Sequence, residues 1–131
     1  MEIERIDHFV LTVRDVEATS AFYHRVLGME VITFGEGRTA LAFGQQKINL
    51  HRLGRQIEPQ VADPTPGTGD FCLITRTPLA AVVAHIQACG VPVELGPVPR
   101  TGALGPMQSV YIRDPDGNLV EIAAYAEQVG E

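Results

Sequence analysis

Features of the first half of this 131-residue chain return in the second half at one fixed spacing, and that repetition restricts its possible folds more than any other property. Phe9 and Phe71, Leu11 and Leu73, Asp15 and Thr77, and Gly28 and Gly90 all lie 62 positions apart. These positions are a strand face, a helix start and a helix stop. The spacing therefore predicts two copies of one supersecondary unit, not a single unit with chance internal likeness.

The first copy reads β-α-β-β-β. Ile3 to Val13 alternates as a strand, with Phe9, Leu11 and Val13 on one face and Ile6, His8, Val10 and Thr12 on the other. Asp15 is an N-cap for a helix through Leu27, and Gly28 fits the left-handed position that closes it. Met29 to Phe34, Thr39 to Phe43 and Lys47 to Leu53 follow as strands separated by glycine turns. Residues 54–68 carry Pro59, Pro64 and Pro66 without any sustained period and read as a linker. The second copy starts with Asp70, Cys72 and Ile74 alternating against Phe71 and Leu73. Thr77-Pro78 then opens a helix that Gly90 closes. A Pro/Gly-rich stretch from Pro97 to Pro106 reads as an insertion between the sixth and seventh strands, and Asp114-Pro115-Asp116-Gly117-Asn118 reads as the turn of a closing hairpin. The expected fold is α+β: tandem βαβββ modules, 3–53 and 69–125, whose mixed sheets curve into a cup within one domain.

Composition excludes several classes of function. A net charge of −6 with no Lys/Arg cluster disfavours a phosphate-backbone partner, so no nucleic-acid role is expected. No apolar run reaches the roughly 20 residues that span a bilayer, and the N-terminus lacks a basic segment leading into an apolar one. A cytoplasmic protein without a membrane partner is expected. Cys72 and Cys89 read as small buried hydrophobes, not as a disulfide frame.

Four side chains able to bind a cation fall on the first and last strands of the two copies: His8, His51, Asp70 and Glu121. On the 62-residue spacing His8 matches Asp70. His51, near the close of the fourth strand, is matched to Glu121 near the close of the eighth. Glu121 is the only charge between Leu119 and Tyr125, and a carboxylate among apolar neighbours needs a partner unless its strand edge faces water. Nitrogen and oxygen donors suit Zn, Ni, Fe or Mn better than a soft-thiolate metal. Asp70 reads equally as a turn residue at a strand start. His24 and His85 sit on helices without a matching partner, and Asp114 and Asp116 read as turn formers.

The runs Ile6-Asp7-His8-Phe9-Val10-Leu11-Thr12-Val13, Phe22-Tyr23 before Val26-Leu27-Gly28-Met29, and Arg113-Asp114-Pro115-Asp116-Gly117-Asn118 before Glu121 resemble the opening strand, first helix and closing hairpin of the vicinal oxygen chelate superfamily. That superfamily groups glyoxalase I, methylmalonyl-CoA epimerase, extradiol dioxygenases and the fosfomycin and bleomycin resistance proteins. Phe43 to His51 and Gly96 to Ala103 most resemble its glyoxalase domain-containing protein 5 group. The resemblance implies that His8 and His51 donate nitrogens and Glu121 a carboxylate to one divalent metal ion, with Asp70 standing where relatives usually carry His. It implies a lyase of the lactoylglutathione lyase type, with Glu121 as ligand and base and Arg100 anchoring an anionic substrate group. Two other readings stay open: an Fe(II) ring-cleaving dioxygenase, and a drug- or metabolite-binding protein of the bleomycin-resistance type. A small-molecule substrate and a homodimer are the expected partners.

Overall fold

Asp15 both stops the opening strand and starts the helix after it. Strand β1 is His8–Val13 and helix α1 is Val16–Leu27, with Asp15 extended between them and its carboxylate accepting the Ala18 N–H at 3.0 Å. The other end closes at Gly28, whose φ of 70° an L side chain would resist. The structure is a computed structural model and describes residues 1–126.

Unit 1 comprises Met1–Thr68 and the turn residues Pro115–Gly117. After α1 it continues with β2 (Glu30–Phe34), β3 (Arg38–Phe43) and β4 (Gln46–Arg52), in the sheet order β1-β4-β3-β2. β1 and β4 run parallel and the other pairs antiparallel. One face of this sheet is apolar, carrying Phe9, Leu11, Val13, Leu41, Ile48 and Leu50, and α1 packs on β2, β3 and β4. Leu11, Val13, Leu41, Ile48 and Leu50 are buried, as are Phe22, Tyr23 and Val26 of the helix. Removing these side chains from water supplies the driving force for the unit, at roughly 25 cal/mol per Å² of apolar surface. Residues 54–68, expected as a linker, fold with this unit, and Asp116 joins it by accepting from the Arg14 N–H and Nη1 at 3.3 and 3.0 Å.

Unit 2 comprises Gly69–Asp114 and the described residues from Asn118 onward. Its elements are β5 (Asp70–Ile74), α2 (Leu79–Ala88), β6 (Leu95–Gly102), β7 (Gly105–Arg113) and β8 (Leu119–Tyr125), in the order β5-β8-β7-β6. The connectivity and the parallel first-to-last pairing repeat those of unit 1. Two details differ from expectation. The stretch 97–106 is not an inserted loop: Gly102 pairs with Gly105 across a two-residue turn, so β6 and β7 form one long hairpin. Gly96 makes that hairpin possible, because a Cβ there would strike the Ser109 carbonyl. Thr77 does not cap α2; the cap position is Pro78, without a side-chain hydrogen bond, and the Pro78 carbonyl accepts from Ala81 and Val82.

The closing hairpin turns on a buried polar lock. Asp114 accepts the Asn118 N–H at 2.9 Å and its Nδ2 at 2.8 Å, while Asn118 Oδ1 accepts the Gly69 N–H at 2.7 Å. Both side chains are buried, so neither has water as an alternative partner. Asn118→Ala is expected to cost about 2–4 kcal/mol, because it strips a donor from a buried carboxylate and the acceptor from Gly69. Urea unfolding of the two proteins measures that difference.

Candidate functional site

Alternation places a defined set of polar side chains on the second face of each sheet. In unit 1 these are His8, Thr12, Lys47, Asn49 and His51, because His8 pairs with Lys47, Val10 with Asn49 and Thr12 with His51. His8 and His51 do share a face, but they stand four residues apart along the paired strands, roughly 13 Å of backbone. The side chain diagonal to His8 is Asn49, two positions beyond its partner Lys47.

Unit 2 repeats that diagonal. Asp70 pairs with Leu119 and Cys72 with Glu121, so Glu121 lies two positions beyond the partner of Asp70. The structural counterpart of Glu121 is therefore Asn49, and His51 corresponds to Ala123. This corrects the matching of His51 with Glu121. The signal was present in the sequence, where Ile48-Asn49-Leu50 matches Val120-Glu121-Ile122 as a polar residue between two apolar ones.

The two diagonals have the chemistry of donor pairs. The Asp7 carboxylate lies 2.8 Å from His8 Nδ1. With that nitrogen protonated and bonded, Nε2 carries the lone pair, the arrangement that orients histidine ligands in metal sites. In turn the histidine holds the Asp7 carboxyl below its ordinary range. Asn49 is 5% exposed, and its Oδ1 is buried without a hydrogen-bond partner. An orphaned carbonyl costs about 1–3 kcal/mol, which a cation or a donor on a ligand recovers. Lys47 does not fill that role, because its Nζ sits 3.6 Å from the centroid of the Phe34 ring.

Asp70 and Glu121 are diagonal across the parallel β5–β8 pair. Ser109 Oγ donates to Glu121 Oε2 at 2.6 Å, and the Cys72 thiol is a second hydrogen-bonding neighbour of the same carboxylate. Cys72 shares this face and is exposed, and Cys89 is only half-buried; both are free, contrary to the buried positions expected for them. Desolvation on the sheet and the neighbouring Glu121 carboxylate push the Cys72 thiol up to about 11. It is accordingly protonated near neutrality and a poor nucleophile. Arg113, whose guanidinium grips Glu94 at 2.9 and 3.1 Å, also feels the charge of Asp70.

Arg100 lies in β6 and not on a loop. Its Nε donates to the Tyr111 hydroxyl at 2.8 Å, and Tyr111 is the cross-strand partner of Glu121. His51 has different company. Desolvation, then Arg38 and Arg55, hold its imidazole below the ordinary value, and its Nε2 is buried without a partner. Two guanidiniums beside a ring disfavour a cation there. Among the described residues, no three His, Cys, Asp or Glu side chains form a group able to hold a metal ion. His24 and His85 remain on helices, near the Met29 carbonyl and Cys89 respectively.

A first and last strand paired in parallel, repeated with a helix in each copy, define the α+β glyoxalase-like fold of tandem βαβββ units. The chain belongs to the Glyoxalase/Bleomycin resistance protein/Dioxygenase superfamily, whose family model matches residues 5–122. It is similar to Virulence protein STM3117 of Salmonella typhimurium, 54% identical over 125 residues that cover 95% of this chain and 87% of that protein. The crystal structure of that protein matches with a TM-score of 0.94, over 96% of this chain and 100% of the other. Glyoxalase domain-containing protein RDO1 of Mycosarcoma maydis is 46% identical over 127 residues, 97% of this chain and 72% of that protein. The structure of lactoylglutathione lyase from Agrobacterium tumefaciens matches at TM-score 0.72 and 26% identity, over 94% of this chain and 95% of that one. No helix among the described residues is long and apolar enough to cross a membrane.

The Glu121 charge has a direct readout in Cys72. Glu121→Gln removes the negative charge that opposes the thiolate, so the thiol's pKa falls and the thiolate fraction at a given pH rises. In metal-free protein, iodoacetamide is expected to alkylate Cys72 several-fold faster in this variant at mildly alkaline pH, as read by mass spectrometry.

Proposed function

We propose that this chain is a divalent-metal-dependent lyase or isomerase of the glyoxalase type, acting on a small substrate with vicinal oxygens. The observation that carries the reading is the repeated diagonal of donors: His8 with the orphaned Asn49 Oδ1 in unit 1, and Asp70 with Glu121 in unit 2. Nitrogen and oxygen donors of these types suit a hard or borderline ion such as Zn, Ni, Fe or Mn. The donor set His8, His51, Asp70 and Glu121 is thereby revised, with Asn49 in the place of His51.

A divalent cation bound by these donors would stabilise negative charge developing on the vicinal oxygens, a contribution of several kcal/mol. Everything else falls to side chains of this chain. Glu121 Oε1 takes the proton from the carbon beside the substrate carbonyl and returns it to the adjacent carbon. Ser109, donating to Oε2, holds the carboxylate in place through both transfers. Arg100 keeps Nη2 for an anionic group of the substrate while Nε and Nη1 are engaged by the Tyr111 hydroxyl and the Pro99 carbonyl. The glutathione adduct of an α-oxoaldehyde has the required vicinal oxygens and carboxylates. Similarity to a lactoylglutathione lyase supports trying that substrate first. An Fe(II) dioxygenase built on His8, His51 and Glu121 is less favoured, since the strand register separates the two histidines and Arg38 and Arg55 flank the second.

Elemental analysis of purified protein, followed by metal-reconstituted assay with the methylglyoxal–glutathione adduct, tests the reading. Metal is expected to be lost in Glu121→Ala and His8→Ala, and weakened in Asn49→Ala but not in His51→Ala. Glu121→Gln is expected to lower kcat at least a hundredfold. Metal bound with no turnover would remove the lyase assignment. Metal loss in His51→Ala with none in Asn49→Ala would overturn the revised donor set.

A further inference from the structure

The 54–64 segment, which sequence alone marks only as a linker, folds back over the end of β4 and encloses a pocket of about 220 Å³ within unit 1. Thr12, His51, Arg52, Arg55, Gln56 and Gln60 line it. Every one of these side chains offers a hydrogen-bond donor, and two carry a permanent positive charge. No carboxylate of the described residues lines the pocket.

Three observations say what such a pocket takes. The first is charge: Arg52 and Arg55 line it without an opposing carboxylate from the described residues, so a cation is repelled. The second is unmet demand. His51 Nε2 is buried without a partner, and among the described residues the Arg55 guanidinium has neither an ion pair nor a hydrogen bond, while Arg52 reaches Glu17 only at 3.8 Å. The third is size, since the volume falls below the roughly 300 Å³ at which drug-sized ligand sites begin. We propose that this pocket is a binding site for a small oxyanion, held by the Arg55 guanidinium and by His51 Nε2. Phosphate, a phosphomonoester and a small carboxylate share that chemistry, because each presents paired oxygens to a guanidinium fork. The site is independent of the metal chemistry proposed above, so chelation separates the two.

Isothermal titration of the full chain at fixed ionic strength tests it, with inorganic phosphate in one arm and malonate in the other, each before and after treatment with EDTA. Saturable binding of either anion that survives chelation is expected, and the arm with the tighter binding identifies the source. Arg55→Ala is expected to weaken binding about tenfold or more, with Arg55→Lys restoring part of it. Arg55 lies in an exposed segment, and unchanged circular dichroism confirms that each variant is folded. In NMR spectra the His51 ring resonances are expected to shift along the same saturation curve. Absence of saturation in both arms, loss of binding on chelation, or equal affinity in Arg55→Ala would each overturn the proposal.

Discussion

The parallel pairing of first and last strand in each unit is the constraint from which the site geometry descends. Parallel neighbours cannot be joined by a tight turn. The chain leaves β1 through a helix and two antiparallel strands before β4 returns to its side, and β5 and β8 repeat the circuit. The backbone ladder of that pair then decides which side chains are neighbours. A slip by two residues keeps every side chain on its face but changes its partner. Function in this fold is therefore a matter of register, and face alone does not specify it.

Face was fully legible in the sequence. The alternation of Phe9, Leu11 and Val13 against His8, Val10 and Thr12 is the alternation the strands adopt, and Asp15 and Gly28 bracket α1 as their chemistry requires. Local signals settle such matters because a cap or a turn is satisfied by residues three or four positions away. Register was only half legible. The 62-residue spacing holds through the first strand and the helix, so His8 and Asp70 both begin their strands. It fails afterwards because β6 and β7 are eight and nine residues long where β2 and β3 have five and six. The additional residues extend a hairpin; they do not bulge out as a loop. Prolines at 97, 99 and 106 suggested a break, yet the first two lie in β6, an outer strand where a residue lacking an N–H can be accommodated, and Pro106 is the second residue of β7, beside the turn.

The residues hidden from sequence reading share a physical reason. Ser109 and Tyr111 looked like ordinary strand residues, because their value lies in cross-strand neighbours ten or more positions away. Asn49 looked unremarkable beside a histidine, since an amide becomes informative only once its burial and its missing partner are known. Histidine attracts attention by type, whereas an orphaned carbonyl is recognisable only from its surroundings.

Electrostatics then separates the roles of the two candidates in β4. Burial of His51 opposes a positive charge and two guanidiniums add to that opposition, so a cation placed there would meet repulsion before coordination. Asn49 carries no charge, costs nothing to deprotonate and presents a hard oxygen two residues earlier on the same face. In unit 2 the same diagonal holds two carboxylates, and the charge of Arg113 interacts with one of them, Asp70. A repeat that duplicates backbone register while varying side chains thus sets a histidine and an amide on the diagonal of one copy and two carboxylates on the diagonal of the other.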